Sequence, residues 1–172
     1  MYRVGIISDT HGSIPNDIYQ QFDQVDYILH AGDLGSSSVL LDLEVIAPVY
    51  AVYGNIDFSQ QLPREQIFVI GPVSFALIHG DQCRRSHIVA DLIERFRNSH
   101  VDVIVFGHTH HYYVMRHGRL WLVNPSSANP NLSPCGILAT FDDQSNLNWQ
   151  KIEFTHQKMG ELNNDDYDDT DH

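Results

Sequence analysis

Residues 4–12 read VGIISDTHG, an uninterrupted apolar run that breaks into a polar turn ending in glycine. A short apolar run without alternation marks a strand buried on both faces. The same arrangement recurs along the chain. Residues 26–31 (DYILHA) lead to Gly32-Asp33, residues 49–53 to Gly54-Asn55, and residues 102–106 to Gly107-His108-Thr109-His110. Residues 67–70 and 73–78 flank a Gly71-Pro72 turn, and the second of these runs ends at His79-Gly80. Between the runs, capping residues and apolar periodicity predict helices over 15–24, 36–46 and 86–98. The last is the clearest, with Ile88, Ala90, Leu92, Ile93 and Phe96 on one face. Residues 112–115 and 120–123 read as a hairpin around His117-Gly118. Strands alternating with helices predict an α/β fold with partly parallel sheets, and ligands of such folds bind beyond the carboxyl ends of the strands.

Those ends are where Asp9, His11, Asp33, Asn55, His79, His108 and His110 gather. Carboxylates, imidazoles and an amide oxygen form a mixed N/O donor set suited to divalent Mn, Fe, Co, Ni or Zn. No cysteine belongs to it, which argues against a structural thiolate zinc site. Asp9 and His11 lie two apart on one loop, as do His108 and His110, so each pair can reach one ion. Seven donors exceed what one tetrahedral ion uses, so the set predicts two ions with Asp33 as a bridging carboxylate.

Composition narrows the classes further. The chain has 172 residues and a formal charge of −12, which disfavours general nucleic-acid binding. Half of that charge lies in the last twelve positions, which hold six acids and no Lys or Arg. Residues 157–172 lack the apolar surface to offset ordering entropy, so we expect a domain over 1–156 and an acidic, disordered tail over 157–172. No segment approaches the ~20 apolar residues of a membrane span. Two cysteines, Cys83 and Cys135, and no basic-then-apolar leader lead us to expect a cytoplasmic protein, with both cysteines as packing residues. His30, just before Gly32-Asp33, is expected to be buried in support of the site, and Arg84-Arg85 to be a solvated pair.

The motifs Asp9-x-His11-Gly12, Gly32-Asp33, Gly54-Asn55, His79-Gly80 and Gly107-His108-Thr109-His110 together resemble the calcineurin-like metallophosphoesterase superfamily, especially its small single-domain phosphodiesterases. They come in the family's order, and the likeness covers residues 3–142. The resemblance implies a four-layer αββα sandwich, two mixed β-sheets flanked by helices. It also implies Asp9, His11, Asp33 and His110 on one metal, and Asp33, Asn55, His79 and His108 on the other. Two divalent ions, Mn foremost with Ni, Co, Fe or Zn as alternatives, are the implied cofactors. A small phosphodiester is the implied substrate, and a homodimer fits the same likeness. Asn124-Pro125-Ser126-Ser127 resembles the family's N-P-G-S loop, with Ser126 in place of its glycine. Asn55, Asn124, Ser126 and Ser127 are therefore the expected substrate contacts.

Two-metal chemistry predicts in-line attack on phosphorus by a hydroxide bridging the ions. Many superfamily members carry a histidine after the Gly-Asn pair as general acid, whereas this chain has Ile56. Side-chain acid–base help is worth about 10²–10⁴-fold, so a slow enzyme favouring good leaving groups is expected. His111, Arg84 and Asp57 are the nearby substitutes. The alternatives are a scaffold of the same fold that binds partner proteins, as the similar retromer subunit does, and a phosphomonoesterase or nucleotide pyrophosphatase. The scaffold branch alters metal-binding positions, and all seven are intact here, which favours the enzyme.

Overall fold

The computed structural model describes residues 1–58 and 61–155. The expected tail over 157–172 lies outside the described residues.

Among the described residues ten strands form two five-stranded sheets, ordered β10-β9-β1-β2-β3 and β4-β5-β6-β8-β7. The first comprises β1 (Tyr2–Ile7), β2 (Tyr27–His30), β3 (Val49–Ala51), β9 (Cys135–Phe141) and β10 (Asn148–Glu153). The second comprises β4 (Glu65–Ile70), β5 (Val73–Ile78), β6 (Val103–Val105), β7 (Tyr112–His117) and β8 (Leu120–Pro125). Each sheet is mixed. β1, β2 and β3 run parallel, as do β5, β6 and β8, while β9, β10, β4 and β7 add antiparallel pairings.

The apolar runs are continuous because both faces of each sheet are covered. Val4, Ile6, Phe75, Leu77, Val103, Val105 and Ile137 pack between the sheets. Their neighbours in sequence point outward. Ile7 and Ile28 meet Ile18 and Phe22 together with Val39 and Leu43 of α2 (Ser37–Glu44). On the other side, Ala76, Ile78 and Ile104 meet Ile88 and Leu92 of α3 (Ile88–Arg95) and the following Phe96. The result is the expected αββα order, with three apolar seams.

The helices are shorter than predicted. α1 is one turn (Ile18–Gln21), and the Asp17 carboxylate at its start accepts from the Thr155 backbone and hydroxyl instead of capping the helix. α3 begins after a 3-10 turn over Arg85–His87. The strands β9 and β10 lie outside the repeated strand-then-ligand pattern. Antiparallel pairing of β9 places it beside β1 and makes β10 the sheet edge.

Candidate metal centre

The loops after β1, β2, β3, β5 and β6 emerge at one end of the sandwich and bring the seven predicted residues together. Two donor triads form, Asp9–His11–His110 and Asp9–Asp33–His79, each with its ligand atoms within 4.8 Å of one another. Asp9 is common to both, whereas the resemblance gives that place to Asp33. Asn55 Oδ1 lies 3.2 Å from His79 Nε2. The His108 ring stacks edge-on to His79 at 5.3 Å, and its backbone N–H donates to Asp9 Oδ2.

The backbone at these positions is costly. Asp9, His11, Asp33, His108 and His110 all have left-handed φ, between 52° and 64°. Non-glycine residues held there cost of order 1–3 kcal/mol each and persist where the surroundings over-determine them. Here the loops are tied to one another: Asp9 N–H donates to Gly32 O, His11 N–H to Asp33 O, and Gly12 N–H to Leu34 O. The close approach leaves no room for side chains at two glycines. A Cβ at Gly54 would overlap Asp33 Oδ1, and one at Gly107 would overlap Ser8 Oγ.

The polar atoms facing inward are carboxylate and amide oxygens and imidazole nitrogens. The Ala31 carbonyl accepts from His79 Nδ1–H at 2.8 Å, which turns Nε2 toward Asp33 Oδ2 at 3.3 Å and Asn55 Oδ1 at 3.2 Å. Asp9 Oδ1 is buried with no hydrogen-bond partner, and His110 Nε2 lies 3.0 Å away without hydrogen-bond alignment. The Nε2 atoms of His11 and His110 face each other at 3.4 Å. A buried carboxylate oxygen without a hydrogen bond is costly, and opposed imidazole nitrogens beside it ask for a cation. The donor set therefore fits divalent metal. The electrostatics agree. Burial acts against protonating His79, yet the Asp33 hydrogen bond and the Asp9 and Asp33 charges raise its pKa. The adjacent Asp9 carboxylate raises that of His110. Burial, with the charges of His79 and Arg85, lowers that of His108.

Around the donors lies a frame of structural hydrogen bonds. Gly32 N–H donates to His30 Nδ1, so His30 carries its proton on Nε2, which donates to Thr10 Oγ1. The Thr10 hydroxyl donates onward to Leu34 O. Desolvation pushes the fully buried His30 down to about 4, so it stays neutral and joins two ligand loops as expected. Three of the expected substrate contacts also belong to the frame. Asn124 is buried and donates to Gly107 O and Thr109 Oγ1 while accepting from Ser126 N–H. Ser127 is buried and donates to Asp9 O. Ser126 adopts φ 73° in glycine's place, held by its hydroxyl donating to His110 O. These side chains brace the ligand loops, and Asn55 alone of the four is exposed.

Asp57 is no spare acid. Its carboxylate accepts three backbone N–H groups, from Leu34 at 3.1 Å, Gly35 at 2.8 Å and Gly54 at 2.9 Å. It clamps the Asp33 loop to the Asn55 loop, a role its place two residues after Asn55 does not announce. Arg84 is committed to Asp91 at 2.6 Å. Arg84 and Arg85 are both exposed, as expected, and the Arg85 guanidinium also donates to Thr109 O, between His108 and His110.

The chain belongs to the calcineurin-like phosphoesterase superfamily, whose domain model matches residues 2–144. It is 34% identical over 157 residues to a probable metallophosphoesterase of Methanothermobacter thermautotrophicus, covering 87% of this chain and 91% of that protein. A phosphodiesterase of Methanocaldococcus jannaschii is 26% identical over 172 residues, with coverage of 88% and 96%. Among solved structures, a single mutant of Vps29 from Entamoeba histolytica shares the fold at a TM-score of 0.72 and 22% identity, covering 89% of this chain and 99% of that one. No helix among the described residues is long and apolar enough to cross a membrane.

Proposed function

We propose that the protein hydrolyses a small phosphodiester at a centre of two divalent ions held by Asp9, His11, Asp33, Asn55, His79, His108 and His110. The observation that carries this reading is the convergence of carboxylate oxygens and imidazole nitrogens on one point, above all the buried Asp9 Oδ1, which makes no hydrogen bond and lies 3.0 Å from His110 Nε2. Two such ions would supply an acidified water and offset charge on the phosphoryl oxygens. Mn²⁺ suits the mixed N/O set, and two free thiols accord with a cytoplasmic setting.

The chain's own contribution is position. The Ala31 carbonyl holds the His79 ring, Ile56 N–H fixes Asp33 Oδ1 at 3.1 Å, and Ser126 steadies the His110 backbone. Arg85 presents one guanidinium beside His108 and His110. A singly charged diester needs less neutralisation than a doubly charged monoester, which favours diesters in so acidic a chain. Vps29 shares the fold, so the scaffold reading has the same architecture behind it. The intact donor set favours the enzyme. Comparing a chromogenic diester with its monoester in Mn²⁺ tests the choice. Diester turnover should exceed monoester turnover, and the reverse order would assign the chain to phosphomonoesters.

The leaving oxygen finds no acid at position 56, and Asp57 is spent on backbone N–H groups. Ile56→His should therefore raise kcat for poor leaving groups by about tenfold or more, part of the 10²–10⁴ that positioned acids provide. Rates across substituted phenyl esters check this. An unchanged leaving-group dependence would show that residue 56 does not face the leaving oxygen.

A further inference from the structure

We infer that Arg85 contacts the phosphoryl oxygens of the substrate, as a fixed cation at the rim of the metal centre; this rests on the phosphoesterase reading above. The segment between His79 and α3 turns twice, with Cys83 N–H donating to Gly80 O and His87 N–H to Arg84 O. These turns bring Arg85 to the loop after β6, where its Nη2 donates to Thr109 O at 3.2 Å. Thr109 separates His108 from His110, and the charge of Arg85 opposes protonation of both imidazoles. Asp9, Asp33 and His79 are buried, whereas His11, His108 and His110 are partly open and Arg85 is exposed. The guanidinium therefore stands on the side from which an anion reaches the donors.

The bonding of this arginine sets it apart. Arg64, Arg84, Arg95 and Arg97 pair with Asp81, Asp91, Glu65 and Glu94. Among the described residues Arg85 forms no ion pair, and Thr109 O takes one of the five N–H groups a guanidinium offers. The others can meet oxygen atoms in the planar fork that fits phosphate. In a chain of net charge −12, a cation without a carboxylate partner beside the site also draws in an anionic substrate. Bracing alone does not call for this residue. Thr109 N–H donates to Gly107 O, Asn124 holds Gly107 O and Thr109 Oγ1, and Ser126 holds His110 O. A guanidinium keeps its proton, so Arg85 supplies charge and leaves the departing oxygen without an acid.

The test measures binding of inorganic phosphate to the Mn²⁺-loaded protein by calorimetry. Arg85→Met should weaken it about 10–100-fold, the worth of a hydrogen bond to a charged group, and leave Mn²⁺ affinity unchanged. Arg85→Lys keeps the charge without the fork and should fall between that variant and the unaltered protein. Arg84→Met removes an equal charge next door, one already held by Asp91, and should shift phosphate affinity by about threefold or less. No phosphate binding at all, or an affinity that Arg85→Met does not move, would overturn the inference. So would a loss that Arg84→Met matches. Mn²⁺ affinity that falls in step with phosphate affinity would make Arg85 a brace of the loop and overturn it too. Turnover of bis(p-nitrophenyl) phosphate by the same preparations separates the two claims. Turnover with phosphate affinity independent of Arg85 removes the contact and leaves the phosphodiesterase. Phosphate affinity that depends on Arg85, without turnover in the unaltered protein, keeps the contact and removes the hydrolase.

Discussion

Asp33→Ala is expected to abolish both metal retention and turnover. Asp33 Oδ1 accepts from Ile56 N–H at 3.1 Å, and Oδ2 lies 3.3 Å from His79 Nε2, inside the triad with Asp9. The carboxylate thus supplies charge to the centre and anchors the loop that carries Asn55. Losing a residue that merely supports a ligand typically costs 10–100-fold, so losing this carboxylate should lower kcat/KM by at least about 10³-fold. Asp33→Asn keeps the shape and the Ile56 bond but removes the charge, and it should fall nearly as far. Metal analysis after gel filtration, beside diester turnover, checks both variants. Retained metal with near-normal rates would remove Asp33 from the centre.

The second large effect is expected at Asp57. Asp57→Ala leaves the N–H groups of Leu34, Gly35 and Gly54 without their acceptor. Each lost bond to a charged acceptor costs on the order of 1 kcal/mol or more, and Gly35 is open to water, so we expect about 3 kcal/mol in total. For a chain of this size that lowers Tm by roughly 6–12 °C. Freed from one another, the Asp33 and Asn55 loops should also bind Mn²⁺ about 10–100-fold more weakly. Thermal denaturation with and without Mn²⁺ reads both effects. An unchanged Tm together with unchanged Mn²⁺ affinity would mean that water replaces the clamp at no cost.

The inner parallel strands and the polar residues gathered at their ends were legible in the sequence for one physical reason. A strand buried on both faces must be continuously apolar, so VGII and DYILHA stand out, and the polar residues that interrupt them fall at strand ends. The frame around the site was not legible. Asp57, Asn124 and Ser127 look like exposed chemistry in one dimension, but they turn inward because the strained ligand backbone needs acceptors and donors. Ser126 shows the same limit: its φ of 73° follows from the His110 carbonyl, which is remote in sequence. At α1 the Asp17 carboxylate, a local cap in the sequence, is taken by Thr155, which is remote in sequence.

The most direct test of the two-metal phosphodiesterase is a titration of Mn²⁺ into metal-free protein, with bound metal and turnover of bis(p-nitrophenyl) phosphate followed on the same samples. Two equivalents should bind per chain, with no turnover in the metal-free state and full turnover only as the second equivalent is taken up. Two bound equivalents without turnover would contradict the enzyme and favour the scaffold, and turnover that survives complete metal removal would contradict the centre itself.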